Sequence, residues 1–182
     1  MQFREKLGSG QQSFLELWHT LGKAGSLPLK ADFSPKNLRG LSSHFAIFCR
    51  NDKGDLIVAF SGTRLDDVWG RNITGGTVQD ATVVGRRKLV LAFFNKIMAQ
   101  PCGGHVAETY TKETGVELSV NTLYLPIDIG DGSVGIISIW EILDPGSKWQ
   151  LHLPKRSDID RRRFHYADFI DVGFGVPAEQ EL

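Results

Sequence analysis

Histidine is the side chain readiest to move protons or hold metal at neutral pH, and this chain has five: His19, His44, His105, His152 and His165. A metal or acid–base site needs partners at short fixed spacings, such as His-x3-His or Cys-x2-Cys. The five are scattered and build no such unit, so each reads as a structural or surface histidine. No Gly-x-Ser-x-Gly turn exposes a nucleophilic serine, and no Gly-x4-Gly-Lys-Ser/Thr loop waits for a phosphate. These patterns do not call for catalysis, and the chain is expected not to be an enzyme.

Binding has better candidates. In Gly62-Thr63-Arg64 the glycine admits positive φ or a close backbone approach. The threonine hydroxyl can cap the helix that follows. Arg64 either meets a ligand or pairs at the surface with Asp66 or Asp67, and the surface pairing is favoured. The segment from Lys155 to Tyr166 carries five cations against two anions. Arg161 to Arg163 suit phosphate, but a solvated charged face is the favoured reading.

Composition narrows the partners. Lys and Arg number 21, Asp and Glu 21, and the pI is near 7.0, so the basic excess of a dedicated nucleic-acid binder is missing. A chain of 182 residues with 41% hydrophobic content buries roughly 70% of its unfolded surface and needs no metal staple. Of the two cysteines, Cys49 sits in the apolar run from His44 and reads as a small buried hydrophobe. Cys102 lies in the turn Gln100-Pro101-Cys102-Gly103-Gly104. Two cysteines form no framework and suit a reducing compartment. The first residues lack an apolar signal core and the apolar runs fall far short of the ~20 residues that span a bilayer, so the expectation is a soluble, cytoplasmic protein with no membrane partner.

The elements that would position these residues can be read from periodicity. Phe14, Leu17, Trp18 and Leu21 fall on one face of an amphipathic helix over 11–23. Ser34-Pro35 opens a short helix with proline at its first position. Strands over 44–50 and 56–61 flank Asn51-Asp52-Lys53-Gly54-Asp55 as a hairpin. A short helix or turn follows at 65–70, and a longer helix spans about 79–100, interrupted by Arg86-Arg87-Lys88. Period-two alternation then predicts strands at 104–111, 116–124 and 134–142, the last two joined through Asp128-Ile129-Gly130-Asp131-Gly132. Helices inserted between groups of antiparallel strands make the class α+β. The expected organisation is a flanking helix and loop over 1–40, a core over 41–145, and a charged extension over 146–182 without clear period.

The run Phe60-Ser61-Gly62-Thr63-Arg64-Leu65-Asp66-Asp67-Val68-Trp69-Gly70-Arg71-Asn72-Ile73-Thr74-Gly75 resembles the end of the second strand in a standalone PAS-type domain family of alphaproteobacteria. Three landmarks fall in matching order: Trp18 in the first helix, Leu27-Pro28-Leu29-Lys30-Ala31-Asp32-Phe33-Ser34-Pro35, and Leu123-Tyr124-Leu125-Pro126-Ile127. The similarity spans about residues 11 to 143, with Lys30 and Ser61 where arginine is common. It implies a PAS-like five-stranded antiparallel sheet with intervening helices, and a sensory or regulatory role through protein–protein interaction. It also implies a ligand volume between the sheet and those helices. Phe60, Trp69, Phe94, Tyr124 and Trp140 would line it, with Ser138 and Arg64 as polar groups. The favoured reading is that these aromatics simply fill the core, and an unrecognised enzyme acting in the same cavity is the least favoured alternative. No histidine is placed to ligate haem and no flavin-reactive cysteine motif occurs, which leaves the cofactor unknown. The expected partners are a second copy, met through the N-terminal helix, a signalling protein, and a small apolar ligand.

Overall fold

In the computed structural model, residues 7–23, 25–38, 40–69, 72–82, 84–112, 117–142 and 159–178 are described. Each hairpin is set by its turn. Asn51 Oδ1 accepts from the N–H groups of Lys53 and Asp55 at 3.0 and 2.9 Å, and Gly54 takes φ 81°, joining β1 (Phe45–Arg50) to β2 (Leu56–Ser61). Asp128 Oδ1 accepts from Gly130 and Gly132, joining β4 (Glu117–Asp128) to β5 (Val134–Ile142). Aspartate and asparagine suit these turns because their short side chains bond the backbone two to four residues on.

The sheet has six strands in the order β2-β1-β5-β4-β3-β6, with β3 at Gly103–Lys112 and β6 at Ile159–Ile170. Every pairing is antiparallel, so the class is α+β, as the sequence predicts. Five strands come from the expected core. The sixth falls in the charged stretch where the sequence shows no period, and it runs the whole length of β3 from Gly103 opposite Ile170 to Lys112 opposite Ile159.

Two hydrophobic layers cover the sheet. Helix α1 (Ser9–Leu21) packs Phe14, Leu15 and Trp18 on one face, against Ile47, Leu123, Leu125, Ile137 and Ile139. Helix α4 (Arg87–Ala99) packs Phe93, Phe94 and Ile97 on the other, with Val58, Val106 and Ile136. The arginine-rich stretch does interrupt the helical stripe: α4 begins at Arg87, after a 3-10 turn at Val84–Arg86. Helices α2 (Pro35–Leu38) and α3 (Thr63–Trp69) are short connectors. Gly104 is what lets α4 lie close to β3, because a Cβ there would run into the ring of Phe93 and come within 2.9 Å of Ile97.

Candidate functional site

The landmarks of the family resemblance meet in space. Trp18 Nε1 donates to the carbonyl of Pro126 at 2.7 Å, and the N–H of Asp128 donates to the carbonyl of Pro28 at 2.9 Å. The first helix, the Leu27-to-Pro35 stretch and the end of β4 are thus tied together. Gly62 lies so close to the loop before β1 that a Cβ would stand 2.5 Å from the Ser43 carbonyl oxygen. Helix α3 starts at Thr63, and the Gly62 carbonyl accepts from Leu65 and Asp66, so glycine, not the threonine side chain, occupies the capping position. Residues 73–78 cover the β2 edge: the Gly75 N–H donates to the Val58 carbonyl, the Val58 N–H donates to the Gly76 carbonyl, and the Val78 N–H donates to the Leu56 carbonyl. These motifs hold the fold.

Between α4 and the sheet lies a cavity of about 90 Å³, with Phe48, Phe93, Phe94, Tyr124 and Trp140 in its walls. The rings of Phe94 and Tyr124 meet edge-on at 5.3 Å, as do those of Phe93 and Tyr124 at 5.5 Å and Phe48 and Phe94 at 4.9 Å. Edge-to-face packing of this kind is a favourable way to fill a core. Ser138 is fully buried, stands opposite Ala46 and Tyr124 in the sheet, and its Oγ has no hydrogen-bond partner.

Phe94, Tyr124 and Trp140 therefore come together as the sequence predicts, with Ser138 beside them in register. Phe60 does not join them. Alternation along β2 would put it with Val58, but Ile47 pairs with Phe60 and Phe48 with Val58, so Ala59 forms a bulge. A bulge inserts one residue and reverses the faces beyond it. Phe60 consequently stacks on Phe45 at 4.6 Å in an apolar groove of the α1 face, still 38% exposed. Arg64 lines a different cavity, of about 360 Å³, between the start of α1, the loop before β1 and the end of β5. The side chain of Trp69 lies outside the described residues.

Sequence reasoning missed Glu108, a cavity-lining carboxylate that is 7% exposed and accepts from Tyr110 Oη at 2.8 Å. The signal was available: Glu108 shares its strand parity with the buried Val106, two residues before it. Cys49 is less buried than the sequence predicts, and Cys102, read only as part of a turn, is more so. Cys102 is fully buried beneath α4 and Cys49 is half-buried. His105 is a core histidine whose Nδ1 meets Tyr166 Oη at 3.2 Å. Among the described residues no group of three His, Cys, Asp or Glu side chains could hold a metal ion. Arg163 is exposed, and the side chains of Arg161 and Arg162 lie outside the described residues.

An antiparallel sheet with a helix packed on each face, and an aromatic cavity under α4, defines an α+β domain. The family model described as "PAS domain" matches residues 8–138, and the chain belongs to that family. Among solved structures it is similar to the PAS domain of a protein from Colwellia psychrerythraea, at 15% identity and TM-score 0.41, over 60% of this chain and 98% of that one. It is also similar to the PAS domain of an HTR-like protein from Haloarcula marismortui, at 14% identity and TM-score 0.38, over 59% of this chain and 90% of that one. No curated protein matches the sequence. No described helix is long and apolar enough to cross a membrane.

Proposed function

We propose that this chain is a cytoplasmic regulatory PAS module that works through contact with a signalling protein and performs no catalysis. The observation that carries this reading is the closure of the aromatic cavity to about 90 Å³. Small-molecule sites usually offer roughly 300–1,000 Å³, so Phe93, Phe94 and Tyr124 leave room for only a very small apolar guest unless they move. The division into a flanking helix and loop over 1–40, a core over 41–145 and an extension over 146–182 belongs to the same proposal, with β6 docked on the core. A homodimer built on α1 would use faces other than that of Phe14, Leu15 and Trp18, which its own sheet already buries.

A second reading, a sensor for a small apolar ligand, is favoured by Ser138. A buried hydroxyl without a partner costs about 1–3 kcal/mol, and a guest with a polar tip would satisfy it. A ligand would act by binding two conformations unequally. Both readings are tested by purifying the protein from its native host, denaturing it, and analysing the released small molecules by mass spectrometry beside an absorption spectrum. A stoichiometric compound would establish the sensor. An empty core that also refuses xenon and benzene would leave protein contact as the mode of action, to be followed by affinity capture of the signalling partner.

A further inference from the structure

The two edges of the sheet differ in how they end. On the β2 side, residues 73–78 bond along the outer edge at Leu56 and Val58. On the other side β6 closes the strand order, and among the described residues no strand or bridge pairs with its far edge. β6 is 12 residues long and contains no proline. A long strand with one free edge presents a row of backbone N–H and C=O groups, a template on which one more strand can pair.

The charges along β6 say which strand fits. Arg161, Arg162 and Arg163 fall in its first half and Asp168 in its second. Arg163 pairs with Thr109 of β3, and Asp168 with His105. Thr109 and His105 are four residues apart on one strand and share a face, which puts Arg163 and Asp168 on one face as well. They are five apart, and the bulge at His165, which no residue of β3 opposes, reconciles the two counts. On the other face, Phe164 and Ala167 pair with Glu108 and Val106. Both belong to the layer under α4 and are only partly buried. Arg163 is exposed.

An antiparallel copy of β6 laid along this edge, with the two-fold axis at the bulge, sets Arg163 opposite Asp168 and Phe164 opposite Ala167. The symmetry forms each pair twice. A parallel copy in register would set arginine against arginine. Opposite charges across two strands attract and like charges repel, so the edge complements itself in the antiparallel direction. We propose that this chain forms a homodimer by antiparallel pairing of β6 with β6 of a second copy, which joins two six-stranded sheets into one. The interface needs neither a ligand nor a signalling protein, and it stands or falls apart from the function proposed above.

The test is sedimentation equilibrium of the full chain over a wide concentration range. The expected result is a monomer–dimer equilibrium between 20.2 kDa and twice that mass, weakened by added salt. Arg163→Asp and Asp168→Arg each replace two attractive pairs by two repulsive ones. Each should weaken self-association about tenfold or more while circular dichroism shows an intact fold. Mixed in equal amounts, the two variants bring opposite charges together again and should form a heterodimer, a rescue that a merely destabilised strand would not give. Amide hydrogen exchange over residues 159–170 should slow as the wild-type protein is concentrated, and should not do so in Arg163→Asp. A monomer at every concentration, or variants that stay apart when mixed, would overturn the proposal. So would a dimer that both reversals leave intact, which would move the interface to another surface such as α1.

Discussion

Gly62 shows how much a single missing methyl can matter. Its φ is unremarkable for any residue, yet a Cβ would stand 2.5 Å from a backbone carbonyl oxygen and 2.6 Å from its carbon, atoms that cannot rotate away. Gly62→Ala should therefore destabilise the fold by about 1–3 kcal/mol, the usual cost of overpacking, read as a lower urea midpoint. His44 gives a pH dependence. Burial, and secondarily the Arg64 guanidinium, hold its pKa below the ordinary 6.5. The unfolded chain then binds a proton that the folded chain refuses, so stability rises with pH across the window at and just below 6.5. Unfolding at pH 5.5 and 7.5 should show that slope, and His44→Gln should flatten it. An unchanged slope in the variant would assign it to other groups. Burial, with Asp171 adding to it, pushes the Cys102 thiol up to about 11, so a thiol reagent at pH 8 should modify Cys49 well before Cys102. Peptide mass spectrometry of a labelling time course reads that order, and faster reaction at Cys102 would mean the core opens locally.

Strand β6 and helix α1 carry the lesson at the next scale. Phe169 stacks on Phe93 at 5.3 Å, while Ile170 and Val172 join the layer under α1, so the C-terminal strand contributes to both hydrophobic layers. Ending the chain at residue 142 should bare the β3 edge and both layers, and an exposed edge strand invites self-association. Light scattering of the shortened chain should show aggregation or a concentration-dependent increase in mass. A well-behaved monomer would show that β6 is dispensable. Trp18→Phe keeps the apolar contact but leaves the Pro126 carbonyl without its donor, and should lower stability by about 1–3 kcal/mol in the same urea assay.

The two elements differ in how legible they are. Helix α1 announces itself through Phe14, Leu17, Trp18 and Leu21, because a helix half covered by a sheet must be apolar at that period. Strands β1 to β5 announce themselves through alternation and Gly-Asp-Asn turns. In β6 the arginines and acids mask the apolar positions: among its described side chains Arg163 and His165 face water, while Phe164, Ala167, Phe169 and Ile170 record the packing. The aromatic site was half legible for a related reason. Phe94, Tyr124 and Trp140 follow regular periods, whereas the bulge at Ala59 that turns Phe60 away leaves no mark in a single sequence. The cavity beside Arg64 was not legible at all, because Gln11, Arg64 and Glu141 in its walls come from three elements and meet only through the tertiary fold.

At the scale of the molecule, one sheet separates two unlike interiors. The side of α4 is closed by aromatic rings, and the side of α1 keeps an open polar end. Strand β5 is the wall common to both, turning Ile136 and Ser138 toward one and Ile137, Ile139 and Glu141 toward the other. Trp140 touches both cavities. Both sides share one piece of backbone, and any factor that an occupant of the first imposes on the second must return unchanged when the order of addition is reversed.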